Sequence, residues 1–231
     1  GHERGSPRAP TGFGMGRSVE CIGSDAGDCN LALTAGEIDE FSSSSCNQER
    51  DYFNSLVTMM ENELAQSEKR VTTFASKVNL IEVFCSDQSM LTEQVNHLGG
   101  KAIRFGLSQG DLQQPEGRRK LFDAVCRHRP EHVWVSPTCK PWSKWSTLNS
   151  QKSVELWDRI HAERIDMLCQ VALCLVLCRY QHRCSRHAHW EQPGGSLMFK
   201  LPYLSELMRY MLSARPDMRT AGSLQDPENG L

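Results

Sequence analysis

Short apolar runs alternate with longer stretches of helical spacing through the carboxyl-terminal two thirds of the chain. The runs are Asn79-Leu80-Ile81-Glu82-Val83-Phe84, Lys101-Ala102-Ile103-Arg104-Phe105, His132-Val133-Trp134-Val135 and Ala188-His189-Trp190. Each has strand length and β-branched or aromatic content, which predicts strands near 79–84, 101–105, 132–136 and 187–190. Between the first two, Leu91, Val95 and Leu98 share one helical face from Ser89 to the stop at Gly99-Gly100. Between the next two, Pro115 and Glu116 suit a first helical turn, and Leu121, Phe122, Val125 and Cys126 follow on one face. From Val154 to Tyr180, Leu156, Ile160, Ile165, Leu168, Ala172, Leu175 and Val176 recur at helical intervals. Strands alternating with helices imply a mostly parallel sheet, and hence an α/β domain over residues 77–231. Beyond the fourth strand, a helix opens at Leu201-Pro202-Tyr203 with Leu204, Leu207, Met208, Met211 and Leu212 inward. A strand is expected from Asp217 to Gly222, and a turn over 226–230.

The amino-terminal pattern differs. Residues 1–49 are rich in Gly, Ser, Pro and Asn and end near Ser42-Ser43-Ser44-Ser45. Such a segment buries too little apolar surface to offset its ordering entropy, so a disordered tail is expected. Residues 50–76 carry a stripe of Tyr52, Phe53, Leu56, Val57, Met60 and Leu64, which reads as a helix docked on the sheet.

Composition narrows the setting. The 231 residues carry a formal net charge of −2, with no global basic signature for nucleic acid. The ten cysteines are scattered and include no Cys-x-x-Cys pair, which fits reduced thiols in a nuclear or cytoplasmic compartment. The most apolar helical stretch, Ile165 to Cys178, contains Gln170 and is too short to span a bilayer, so no membrane partner is expected. Cys178, His182, Cys184, His187 and His189 crowd one segment. Their spacings do not match paired zinc-ligand spacing, and no metal site is expected.

Two strand ends carry candidate chemistry. Val135-Ser136-Pro137-Thr138-Cys139-Lys140-Pro141-Trp142-Ser143 delivers a thiol between two prolines just past the third strand. Open α/β sheets bind ligands at the carboxyl ends of their strands, and flanking prolines stiffen such a loop. The alternative reading of Cys139 is a small hydrophobe closing a strand. His189-Trp190-Glu191-Gln192-Pro193-Gly194-Gly195-Ser196-Leu197 likewise ends a strand in an acid and a proline. The alternative for Glu191 is a helix cap or a surface carboxylate.

The first run resembles the Pro-Pro-Cys-Gln-x-Phe-Ser motif of the cytosine-5 DNA methyltransferases, with Thr138, Lys140 and Trp142 replacing Pro, Gln and Phe. Glu191-Gln192-Pro193 resembles the family's Glu-Asn-Val or Glu-Asn-Pro, and Gly110-Asp111-Leu112 its Gly-Asp-Ile. Phe84 matches the aromatic residue of a Phe-x-Gly-x-Gly loop, although Cys85-Ser86-Asp87-Gln88-Ser89 holds no glycine. The second strand lacks the acidic residue with which that strand usually ends. The resemblance covers residues 77–231 and is nearest the compact phage and mobile-element forms. It implies a Rossmann-like S-adenosylmethionine-dependent fold, incomplete at its carboxyl terminus. By the same resemblance Cys139 adds to C6 of cytosine, Glu191 engages N3, and Ser143 and Pro137 shape the loop. Phe84, Cys85, Ser86, Asp87 and Asp111 would face S-adenosylmethionine, with DNA as the partner and RNA as the alternative. Lys140, Lys144, Trp142, Trp145, Arg179, Arg183 and Arg186 are candidate nucleic-acid contacts. A different class of reading is a catalytically inactive methyltransferase-like module, derived from a mobile element, that binds nucleic acid or protein. A third is a cysteine-dependent hydrolase using His187 or His189. The family continues with a basic motif and a target-recognition region, so the chain reads as a fragment. Taken alone, it is expected to transfer methyl groups weakly or not at all.

Overall fold

The computed structural model describes residues 35–193, 196–201 and 204, with side chains from residue 47 onward. The four apolar runs form β1 (Leu80–Val83), β2 (Ala102–Phe105), β3 (His132–Val135) and β4 (His187–Trp190), each within two residues of its expected span. They make one parallel sheet in the order β2-β1-β3-β4. The chain runs from β1 outward to β2, then crosses back over β1 to reach β3 and β4. This reversal sets a topological switch point between β1 and β3.

Crossovers running in opposite directions must place their helices on opposite faces of the sheet, because each is right-handed. Side-chain alternation agrees. Ile81, Val83, Val133 and Val135 point to one face and join the core with α3 (Pro115–His128) and α5 (Val154–Arg183). Glu82 points to the other face, where α2 (Met90–His97) and its approach cover it: the hydroxyls of Ser89 and Thr92 each donate to its carboxylate at 2.6 Å.

α1 (Ala35–Arg70) packs across α3 and α5 through Phe53, Leu56, Val57, Met60 and Leu64. α5 therefore has the sheet on one side and α1 on the other. Every residue from Val171 to Cys178 is buried, where the sequence periodicity shows only a stripe. A helix apolar all round is one enclosed on all sides. Among the described residues, no helix is long and apolar enough to cross a membrane.

The amino-terminal boundary differs from expectation. α1 begins at Ala35, so residues 35–49 are helical and the Ser42–Ser45 run lies inside the helix rather than in a tail. Serine is only a modest helix former, yet each added residue costs little once a docked segment has nucleated the helix, and no Gly or Pro interrupts residues 37–70. The same helix ends at Arg70, so the helical span expected over 50–76 stops short of it. The expectations for residues 1–34, for the helix of 205–212, and for the strand and turn of 217–230 fall outside the described residues.

The contact between α1 and α3 contains a nearly enclosed charge pair. Arg118 is 1 % exposed; its Nε and Nη2 each reach the Glu63 carboxylate at 2.8 Å, and Nη1 donates to the carbonyl of Gln113. Removing one partner of such a pair strands a buried charge. Glu63→Ala is therefore expected to destabilise the fold by about 3 kcal/mol in urea denaturation. Glu61→Ala, which breaks the exposed pair with Arg179, should cost less than about 1 kcal/mol. Equal effects would mean that the Arg118 pair does not hold α1 in place.

Candidate functional site

The ladder continues past the ends of β1, β3 and β4. Phe84 N donates to the Phe105 carbonyl, Ser136 N to Val83 and Glu191 N to Val135, at 2.9, 3.2 and 3.0 Å. The loops carrying Phe84–Ser89, Cys139 and Glu191 thus leave a common carboxyl-terminal edge, and the Cys139 and Glu191 loops come from paired strands.

Cys139 is half-buried and precedes a single 3-10 turn over Lys140–Trp142. Its loop is held at several points. Gln192 Nε2 donates to the Pro137 carbonyl at 2.6 Å, and the Thr138 amide donates to Gln170 Oε1 at 3.3 Å. Beyond the cysteine, Arg164 Nε donates to the Pro141 carbonyl at 2.9 Å and Nη2 reaches Thr147 Oγ1 at 3.2 Å. Ser143 caps a short helix that the sequence reading lacked, α4 (Lys144–Ser150), by accepting from Ser146 N at 3.1 Å. Its hydroxyl therefore has a loop-shaping role. Trp142 is 2 % exposed and belongs to the core, whereas Trp145 is 76 % exposed beside Lys144. Only the second tryptophan is open to a base. Glu191 is exposed. The buried thiols differ from Cys139 in setting: burial pushes Cys126 up to about 11 and Cys178 up to about 12, which leaves both protonated and inert.

The loop after β1 is engaged with its own surroundings. Phe84 takes a left-handed φ of +63°, a strained conformation for an aromatic residue. Arg104 on β2 donates to the carbonyls of Asp87 and Ser89, both at 2.6 Å, and Ser108 Oγ donates to the Asp87 carboxylate. Burial, and then the nearby Glu82, push the Cys85 thiol up, so Cys85 stays protonated. Ser86 is exposed. Asp111 accepts from Gln113 N at 2.9 Å and so builds the turn into α3. The close-approach glycine missing from this loop sits one strand away: a Cβ on Gly106 would lie 2.4 Å from the Cys85 carbonyl. As a donor set for S-adenosylmethionine the loop fits poorly. Its carboxylate and two of its carbonyls are already partnered, and β2 ends in Phe105-Gly106 without an acid.

Other sequence candidates lie elsewhere. α5 runs back against the strands, so Arg179, Arg183 and Arg186 sit by the start of β4, at the edge opposite Glu191. Arg179 and Arg183 pair with Glu61 and Glu68 of α1 at 3.2 and 3.1 Å, and Arg183 and Arg186 both lie over the Tyr180 ring. Their charges are engaged within the fold, at the end of the sheet away from the Cys139 and Glu191 loops. His187 and His189 face His132 and Trp134 across the sheet, with His132 Nδ1 and His189 Nε2 2.9 Å apart. Neither imidazole is set as a base for Cys139. Among the described residues no three His, Cys, Asp or Glu side chains converge as a metal site. Gln170, Arg164 and Gly106 were missed because each acts across many residues of sequence. The one local signal was Gly106 immediately after an apolar strand.

The fold and these loops define an open, parallel α/β sheet that presents a thiol and a carboxyl group on loops from neighbouring strands. The chain matches no family model, and no curated protein or solved structure matches it.

The histidine face predicts a pH response. Burial first, then His132 and His187, hold His189 below the usual histidine range. A base with a depressed folded pKa binds protons more readily when unfolded. Its contribution is therefore complete above the unfolded value of about 6.5 and is lost as pH falls below it. The urea midpoint should fall between pH 7.5 and 5.5, and fall less steeply in His189→Gln. An unchanged slope in the variant would separate His189 from the acid response.

Proposed function

We propose that the chain is a cytosine-5 DNA methyltransferase-like core in which Cys139 is the nucleophile toward a pyrimidine. The observation that carries this reading is the pairing of β3 with β4, which brings the Cys139 and Glu191 loops out of one sheet edge as neighbours. The chemistry asks for that juxtaposition. As the Cys139 thiolate forms a bond to C6, the electron pair of the C5–C6 double bond moves toward C4 and N3. The Glu191 carboxyl group meets the developing charge at N3 and supplies a proton there. Pro137, Ser143 and Arg164 keep the thiol loop in shape. Trp145 offers an exposed flat surface, and Lys144 a cation, to an extruded nucleotide. DNA is the proposed partner, with RNA as the alternative. S-adenosylmethionine is the methyl donor that the resemblance implies, and within a Rossmann-like fold it assigns that donor to Phe84, Cys85, Ser86, Asp87 and Asp111, whose loop would first have to release its contacts with Arg104 and Ser108.

One observation favours a second reading. The loop after β1 spends its polar groups on Arg104 and Ser108, which suits a catalytically inactive module that keeps the sheet and its nucleic-acid surface without the donor.

Calorimetry with S-adenosylmethionine separates the two. Micromolar binding supports the enzyme, whereas no heat up to millimolar concentration leaves the module. Transfer of labelled methyl from S-adenosylmethionine to mixed-sequence DNA then tests the nucleophile. Any transfer should fall by about 1000-fold or more in Cys139→Ala. Transfer that survives this substitution removes the cysteine from the mechanism.

A further inference from the structure

We propose that Gln170 and Gln192 are positioning residues that clamp a single peptide unit ahead of Cys139, and that they do so with opposite hydrogen-bond polarity. The consequence for catalysis rests on the reading of Cys139 as nucleophile; the clamp itself does not.

The Pro137 carbonyl and the Thr138 amide belong to the same peptide plane. No described peptide bond is cis, so the two groups point in opposite directions. Gln192, from the β4 loop, donates its Nε2 to the carbonyl at 2.6 Å. Gln170, from α5, receives the amide on its Oε1 at 3.3 Å. The plane is therefore held from two sides by two different elements and cannot rotate without losing both bonds. The Pro137 ring restricts φ on the preceding bond, and Arg164 holds the Pro141 carbonyl two residues beyond the cysteine. Cys139 thus lies between two fixed points, where the loop enters the 3-10 turn.

The chemistry of the partners dictates the polarity. A carbonyl only accepts, so Gln192 must present its NH2 group, and Ser196 Oγ steadies that orientation by donating to Gln192 Oε1 at 3.1 Å. An amide N–H only donates, so Gln170 must present its oxygen. A carboxylate at each position should then behave in opposite ways. Glu at 170 keeps the acceptor that Thr138 needs. Glu at 192 loses the donor and sets a negative oxygen against the Pro137 carbonyl.

The test uses the 231-residue chain with Cys85 and Cys184 replaced by Ser. It reads the exchange rate of the Thr138 amide and the rate at which iodoacetamide labels Cys139, identified by peptide mapping. Gln170→Leu, Gln192→Leu and Gln192→Glu should each speed both rates roughly 5- to 10-fold, the worth of one lost hydrogen bond. Gln170→Glu should stay within about 2-fold of the parent. If Gln192→Glu fails to fold by circular dichroism, Gln192→Met, which is neutral and has no donor, replaces it with the same expected acceleration. Equal behaviour of the two Glu variants, or no acceleration in either Leu variant, overturns the clamp. Calorimetry of the unsubstituted chain with S-adenosylmethionine is run alongside. No binding up to millimolar concentration, with the exchange pattern intact, counts against the enzyme reading and leaves the clamp standing.

Discussion

The enclosure of α5 between the sheet and α1 is the constraint on which the rest of the structure depends. From Val171 to Cys178 the helix has no exposed side, so its position is determined by apolar contact with β3 and β4 beneath and with Phe53, Leu56 and Met60 above. Apolar burial stabilises by about 25 cal/mol per Å2, and eight consecutive enclosed residues of α5 contribute through it. α5 is also the crossover from β3 to β4. Fixing it fixes those strands as neighbours, and their ends as the points from which the Cys139 and Glu191 loops depart. The amino-terminal part of the same helix then rises beyond the core and offers Arg164 and Gln170 to the thiol loop. One element sets both the fold and the local geometry of the site.

The two sides of the switch point are built differently. On the β3–β4 side, backbone groups of the Cys139 loop are bound by side chains from α5 and the β4 loop, which leaves Cys139 half-buried and Glu191 exposed at the edge. On the β1–β2 side, polar groups are hydrogen-bonded to one another. Glu82 anchors the approach to α2 through two hydroxyls, and Arg104 draws the Asp87 and Ser89 carbonyls toward β2. A methyl donor would have to displace or share these contacts. That tension is why an active enzyme and a donor-free module remain the two readings in competition.

Much of this was legible in the sequence, for physical reasons that differ by element. The strands announced themselves because parallel strands buried on one face by helices read as short apolar runs, and Val133 and Val135 bracket Trp134 with the period of two that a pleat demands. α3 was equally clear, because Pro115 starts it and its apolar residues share one face. α4 was not, since it is short, buries none of its residues and starts only because Ser143 acts as a cap. The reach of α1 back to Ala35 was hidden by the serine run. The strand-end positions of Cys139 and Glu191 could be read locally. The side chains that hold their loops could not, because Gln170, Arg164 and Gln192 meet backbone groups 23 to 55 residues away in sequence. Trp142 and Trp145 are alike in sequence and opposite in burial, a difference decided by packing alone.

The central claim is that paired strand ends bring Cys139 and residue 191 within reach of one pyrimidine ring. Bridging by bifunctional thiol reagents of graded length tests it directly, without cofactor or nucleic acid. In a chain carrying Glu191→Cys, with Cys85 and Cys184 changed to Ser, reagents about as long as a pyrimidine ring should join the introduced thiol to Cys139, as read by mass spectrometry of the linked peptides. Bridging only by much longer reagents, or single-ended labelling alone, would place the two groups apart and contradict the account.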